Sequence, residues 1–312
     1  MLVPDEMRKC VAFLYYRRSG QIKAAGTGFF VGWPTDGENA AMMLVTAHHV
    51  IDGIRRHSDD GDVLIRLNTT DGGSTLIAAA IDEWFHPRAD LDCAVLFWQP
   101  PQEAHIDVRF WLLRTDHAAQ FAQEGIGIGD EVFMVGLFRN HLGRDRNEPI
   151  IRVGNIAAMP TDPIQTQAYG EMRAVLVEAR SIGGLSGSPV FVHLGFSRLR
   201  EGQIMQWRPS DNTVGPFVLL GLVHGHWDAL ETQVDLLGDA KINMGVGIVV
   251  PIGDVIDAIR PTMEEAMRLA TEEQAKRNAP TEDVAEDEFD RFEELARQVV
   301  NTPKQKPDED AS

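Results

Sequence analysis

Short apolar or alternating segments follow one another along residues 10–260, and clusters of Gly, Pro, Asn and Asp separate them. The first segment, 11–16, ends at Arg17-Arg18-Ser19-Gly20, a typical hairpin turn, and 26–32 resumes the pattern. The remaining segments are 42–46, 63–67, 76–81, 93–98, 131–137, 150–156, 174–179, 189–193, 217–224 and 245–251. Many short strands joined by turn residues predict an all-β fold, either a sandwich or a pair of barrels.

From Pro261 onward the pattern becomes helical. Segments 264–276 and 284–300 have helical character, and apolar residues between Phe289 and Val299 recur near helical spacing. Residues 261–312 carry 15 acidic and 7 basic residues. We therefore expect a folded domain over 1–260, an acidic helical extension over 261–300 and a disordered tail over 301–312.

Composition narrows the classes of partner. The formal net charge of −18 repels phosphate backbones, which argues against general nucleic-acid binding. No apolar run is long enough to span a bilayer, so no membrane partner is expected. The two cysteines, Cys10 and Cys93, provide no disulfide framework, and the N-terminus lacks the basic-then-apolar order of a secretory signal. These features predict a cytoplasmic protein.

Three short motifs carry residues suited to acyl transfer. A strand runs into a turn at Thr46-Ala47-His48-His49, an acid precedes a buried strand at Asp92-Cys93-Ala94-Val95-Leu96, and a serine lies in the glycine-rich Gly184-Leu185-Ser186-Gly187-Ser188-Pro189. Acyl transfer needs a nucleophile, a base that titrates near neutral pH and an acid that orients the base. Glycines beside the serine allow backbone N–H groups to converge on one point, as an oxyanion hole requires.

In order and spacing these motifs resemble those of chymotrypsin/trypsin-like serine peptidases, most closely the bacterial HtrA-type and related intracellular members. The separations, 43 residues from His49 to Asp92 and 94 from Asp92 to Ser186, are close to those usual in the family. The resemblance covers about residues 10–260 and implies two six-stranded antiparallel β-barrels with the cleft between them. It implies His49, Asp92 and Ser186 as the catalytic triad and the N–H groups of Gly184 and Ser186 as the oxyanion hole. No metal or organic cofactor is implied.

Each assignment has a rival in the sequence. His48 adjoins His49, and Asp90 lies two residues before Asp92; the position of each residue within its motif favours His49 and Asp92. His224 and His226 would share one face of a strand, as zinc ligands can, but no third ligand has a telling spacing. A structural or cleft-lining role is expected for them, and we expect Arg180, His224, Gly225 and His226 to line the substrate cleft.

Two classes of function remain open. The first is an endopeptidase acting on a restricted intracellular protein or peptide substrate, and the second is a protease-fold module that binds peptides without turnover. In either case residues 261–312 could dock a protein partner through their apolar stripe. In the family that the chain resembles, specificity for Lys and Arg comes from an aspartate at the base of the substrate pocket, shortly before the nucleophile. Here that stretch holds Arg180 and no acid nearer than Glu178, so the resemblance implies poor cleavage after Lys or Arg.

Overall fold

A computed structural model describes residues 2–35, 39–98, 101, 105–166, 169–179, 184–200, 203–207, 215–229 and 242–278. These residues form two β-rich lobes followed by a long helix. No helix within these ranges combines the length and apolar character needed to cross a membrane.

The N-terminal lobe is a seven-stranded sheet preceded by the short helix α1 (Asp5–Lys9). Its strands are β1 (Val11–Arg18), β2 (Gln21–Pro34), β3 (Ala40–Thr46), β4 (Asp62–Asn68), β5 (Ser74–Ala80), β6 (Ala94–Phe97) and β7 (Trp111–Leu112). Six of them pair antiparallel in the order β5-β4-β1-β2-β3-β6, and β7 adds parallel to β2. The predicted hairpin joins β1 to β2, with Ser19 and Gly20 at positive φ.

Strand β3 is an interior strand of this lobe. All its residues are buried, and it pairs with both β2 and β6. In the register with β6, Thr46 lies opposite Ala94. Helix α2 (His48–His57) begins directly after β3 and buries Val50, Ile51 and Ile54. The end of β3 and the start of β6 are therefore neighbours, each with a motif residue just beyond the strand.

The C-terminal lobe is a closed barrel of six antiparallel strands. They are β8 (Glu131–Gly136), β9 (Ile150–Ala158), β12 (Val175–Glu178), β13 (Pro189–His193), β16 (Phe217–Ala229) and β17 (Ile242–Pro251), in the ring order β12-β17-β16-β13-β8-β9. Two short hairpins accompany the barrel, β10 (Ile164–Thr166) with β11 (Gly170–Met172) and β14 (Ser197–Arg200) with β15 (Gln203–Gln206). Helix α3 (His117–Glu124) precedes β8.

Strand β8 of the barrel is buried on both faces. Along β8, Val132 and Met134 belong to the cluster that fills the barrel, whereas Phe133 and Val135 belong to the larger cluster that extends from the N-terminal lobe. The alternation follows the two-residue period of a strand. This double burial explains why the sequence of the strand is a continuous apolar run rather than an alternating one.

The long helix α4 (Ile252–Asn278) follows β17 without a loop and packs on the larger cluster. It contributes Val255, Ile256, Ile259 and Met263 at helical spacing, and all four are buried. The helix contains Pro261 and continues past it, so the boundary expected near residue 260 falls inside one helix. The expected helix over 284–300 and the tail over 301–312 lie outside the described residues.

The predicted fold class is confirmed: a strand-rich chain with a six-stranded barrel and a C-terminal helical extension. One detail differs from the expected pair of barrels. In the described residues the six antiparallel strands of the N-terminal lobe form an open sheet, because the edge strands β5 and β6 do not pair with each other.

Candidate active site

His49 and Asp92 are brought together by neighbouring strands of the N-terminal lobe. His49 lies in the first turn of α2, after β3, and Asp92 lies in the loop that leads into β6. The backbone N–H of His49 donates to Oδ1 of Asp92 at 2.9 Å, and Nδ1 of its ring lies 2.7 Å from Oδ2. An ionised carboxylate only accepts hydrogen bonds, so this contact places the ring proton on Nδ1 and leaves Nε2 as the basic nitrogen.

Asp92 is fully buried and nevertheless ionised. Burial by itself raises the pKa of a carboxyl group, but hydrogen bonds from His224 and His49 hold the pKa of Asp92 well below its ordinary value. The rival Asp90 is an exposed residue whose carboxylate pairs with Arg88 at 2.6 Å. The structure thus joins Asp92, and not Asp90, to the histidine motif.

The rival His48 points elsewhere. Its Nδ1 lies 2.8 Å from the hydroxyl of Tyr169, and its ring stacks on His86 with centroids 3.5 Å apart. Burial and the neighbouring imidazole of His86 lower the pKa of His48. The sequence alone assigns no role to Tyr169 or His86, because their contacts with His48 join segments that are distant in the chain.

Ser186 lies in a tight turn that leads into β13, one of the six strands of the barrel. Gly184 and Gly187 have φ of +109° and +80°, a region that residues with a Cβ rarely adopt. A Cβ on Gly187 would also lie 2.2 Å from the carbonyl oxygen of Thr27. Glycine is therefore required at Gly187 both for backbone conformation and for the close approach of the N-terminal lobe.

Thr27 of β2 ties the serine turn to the N-terminal lobe. Its backbone N–H donates to the carbonyl oxygen of Ser186 at 3.0 Å, and its hydroxyl donates to that of Gly184 at 3.0 Å. The same hydroxyl accepts the backbone N–H of Leu137 at 2.9 Å. By contrast, the backbone N–H groups of Gly184 and Ser186 donate to no acceptor among the described residues.

The hydroxyl of Ser186 is directed at the main chain of His224. It donates to that carbonyl oxygen at 3.3 Å, and within the described part of the chain it makes no hydrogen bond with His49. The side chain of His49 is 31% exposed, which leaves its ring accessible from solvent. The structure therefore connects Ser186 to the His49–Asp92 pair through His224, without a hydrogen bond between Ser186 and His49.

A second imidazole contacts the same carboxylate. Nδ1 of His224, from β16, lies 2.5 Å from Oδ2 of Asp92. The atoms of His49, Asp92 and His224 that could bind a metal ion all lie within 4.8 Å of one another. Two ligands of a tetrahedral zinc ion would stand roughly 3.3 Å apart, at metal–ligand distances of about 2.0–2.1 Å. The separations of 2.5 and 2.7 Å are those of hydrogen bonds, so the trio is a hydrogen-bonded network.

The structure describes only some of the other residues expected in the cleft. Gly225 and His226 lie on β16, opposite Ile248 and Gly247 of β17, while Arg180 lies outside the described residues. Glu178, at the end of β12, is exposed. Cys93, beside Asp92, is buried, and burial followed by the Asp92 charge raises the pKa of its thiol, which argues against a cysteine nucleophile.

An open antiparallel sheet that supplies histidine and aspartate, joined to a six-stranded barrel that supplies serine, is a trypsin-like fold. Similar solved structures include the MamO protease domain from Magnetospirillum magneticum, at 15% identity and a TM-score of 0.47 over 81% of this chain and 96% of that one. Deg5 is 14% identical, with a TM-score of 0.47 over 81% of this chain and 88% of that one. The HtrA-type protease AlgW is 15% identical, with a TM-score of 0.47 over 83% of this chain and 66% of that one. No protein-family model matches the chain, and no curated protein matches it in sequence.

Proposed function

We propose that the protein is a serine endopeptidase that hydrolyses peptide bonds in a restricted set of protein substrates. Ser186 is the nucleophile, His49 the general base and Asp92 the acid that orients it. The observation that carries the proposal is the two-point contact of His49 with a buried, ionised Asp92, which fixes the tautomer that a base needs. A surface histidine with no catalytic role would not require a buried charge beside it.

In the proposed reaction the Ser186 hydroxyl leaves the carbonyl oxygen of His224 and donates to Nε2 of His49. Oγ attacks the substrate carbonyl carbon, its proton passes to Nε2, and the N–H groups of Gly184 and Ser186 bind the oxyanion that forms. His49 then protonates the departing amine. Water attacks the acyl-enzyme, gives its proton to His49, and Ser186 is released with that proton.

The test is labelling by a fluorophosphonate, which reacts with an activated serine, together with hydrolysis of a peptide library. Wild-type protein should label, and Ser186→Ala or His49→Ala should each lower turnover by several powers of ten, up to roughly 10⁶-fold. The double variant should be scarcely worse than either single one, because the two residues act as a unit.

Neighbouring residues of the same type provide matched controls. Ser188→Ala removes a buried hydroxyl that has no partner in the described part of the chain, so labelling should persist. His48→Ala should likewise retain activity. Loss of activity in His48→Ala, with retention in His49→Ala, would move the base by one residue, and near-normal cleavage by Ser186→Ala would refute the mechanism.

A second candidate function is a protease-fold module that binds peptides without turnover. It is favoured by the hydrogen bond from Ser186 to His224, which directs the hydroxyl away from His49. Wild-type protein that binds peptides but neither labels nor cleaves any library member would support this candidate and contradict the first.

A further inference from the structure

The Asp92 carboxylate is held from both lobes at once. Oδ2 accepts Nδ1 of His49 at 2.7 Å from the N-terminal lobe and Nδ1 of His224 at 2.5 Å from the barrel. The side chain of His224 is 10% exposed. Because the carboxylate is ionised and only accepts, both imidazoles must carry their proton on Nδ1.

A β-bulge directs His224 at the acid. In the pairing of β16 with β17, Val223 lies opposite Val249 and Gly225 lies opposite Ile248, so His224 is the extra residue of β16. A bulge interrupts the regular alternation of side chains and re-aims the residue it contains. The local backbone therefore accounts for a histidine that faces the other lobe rather than following the strand.

The ring of His224 is enclosed by other aromatic groups. Its centroid lies 5.5 Å from that of His49 and 5.7 Å from that of Tyr169, both in edge-to-face arrangements. Tyr169 also contacts His48, and burial together with the Asp92 charge raises the pKa of the Tyr169 phenol. Packing on these sides restricts His224 to one orientation, with its Nδ1–H toward Asp92.

The main chain of the same residue contacts the serine. The carbonyl oxygen of His224 accepts the Ser186 hydroxyl at 3.3 Å. One residue thus touches the acid with its side chain and the nucleophile with its backbone, and a shift of His224 would displace both.

We propose that His224 is a positioning residue whose imidazole N–H fixes the Asp92 carboxylate in the orientation that engages His49. The proposal rests on the proposed serine-peptidase function. It adds that alignment of the acid requires a donor from the opposite lobe, and that a neutral donor at the same place can substitute for the imidazole.

Two substitutions separate the donor from the volume of the side chain. The amide N–H of His224→Asn can occupy the place of Nδ1–H, whereas His224→Leu fills space without a donor. His224→Leu should lower kcat about 10- to 100-fold with little change in KM, a smaller loss than the roughly 10⁴-fold fall seen when the acid itself is altered in a triad enzyme. His224→Asn should recover kcat to within a few-fold of wild type.

A matched control exists on β13. His193 also directs Nδ1 at a carboxylate, that of Glu131 at 2.8 Å, but away from Asp92, so His193→Asn should leave kcat unchanged. Equal impairment of His224→Asn and His224→Leu, or unchanged kcat in His224→Leu, would overturn the proposal.

A spectroscopic measurement keeps this test separate from that of the proposed function. In ¹⁵N-histidine-labelled protein, an imidazole Nδ1–H bonded to a buried carboxylate gives a downfield, slowly exchanging proton resonance. The His224 resonance should vanish in His224→Asn and move in Asp92→Asn, in active or inactive protein. Wild-type protein that does not react with the fluorophosphonate but shows this resonance would refute the peptidase function and retain the contact between His224 and Asp92. Wild-type protein without a His224 resonance would refute that contact, even if the protein is an active peptidase.

Discussion

Replacing Thr27 by valine removes one hydroxyl at the junction of the two lobes while keeping the shape of the side chain. That hydroxyl donates to the carbonyl oxygen of Gly184 and accepts the N–H of Leu137, and Thr27 itself is fully buried. The substitution leaves one buried acceptor and one buried donor unpaired, at a cost of about 1–3 kcal/mol each. We therefore expect a loss of roughly 2–6 kcal/mol in the free energy of unfolding, a large part of the ~5–15 kcal/mol typical of proteins.

Urea and thermal unfolding measure this loss directly, with an expected fall in Tm on the order of 10 °C. Thr27→Ser keeps the hydroxyl and loses one methyl group, worth about 1 kcal/mol. Thr46→Val breaks only the bond from Thr46 Oγ1 to the carbonyl oxygen of Thr27, 2.7 Å long, and should also cost about 1 kcal/mol. If Thr27→Val proves as stable as Thr27→Ser, the two bonds do not hold the serine turn and the reasoning fails.

Three further outcomes are expected. Burial raises the pKa of Asp254, so ionising this carboxyl group costs stability once the pH rises above the ordinary pKa of aspartate near 3.8. Asp254→Asn should therefore raise Tm by a few degrees near pH 7, and this gain should shrink toward pH 4. A lower Tm of the variant at pH 7 would contradict this. Truncation after Asn278 should leave a cooperative unfolding transition. Truncation after Arg260 removes the buried Met263 and should lower Tm. Equal Tm values for the two truncated proteins would show that the end of α4 adds nothing to the core. Peptide-library profiling should show poor cleavage after Lys or Arg, because Glu178 is exposed and so does not supply a buried carboxylate to pair with a basic substrate side chain. A dominant Lys or Arg at the cleavage position would show that the specificity pocket was misplaced.

The sequence predicts most of the fold because turn residues and apolar runs are local signals. The proximity of His49 and Asp92 is implied only by the resemblance of their motifs to those of trypsin-like peptidases. The sequence does not predict that His224 contacts Asp92, because that contact depends on a bulge whose extra residue is defined only by the pairing of β16 with β17. Tyr169 carries no signal for the same reason: its contacts lie across the fold rather than along the chain.

The start of the C-terminal helix shows a different limit. The sequence pattern places the helical region after Pro261, yet α4 begins at Ile252 and continues through the proline. Proline removes one backbone N–H and ordinarily ends or kinks a helix, yet α4 continues through Pro261. Burial of Ile256, Ile259 and Met263 on one face outweighs that local preference.

The division of the site between the two lobes also orders events during synthesis. Asp92 and His49 leave the ribosome early, and Ser186 follows 94 residues after Asp92, a delay of roughly 5–20 s at about 5–20 residues per second. The barrel that holds the serine turn closes only when β17 pairs with both β12 and β16, and β17 ends at Pro251. A growing chain therefore carries His49 and Asp92 without a positioned nucleophile, and without the His224 donor to Asp92, until nearly all of both lobes has been made.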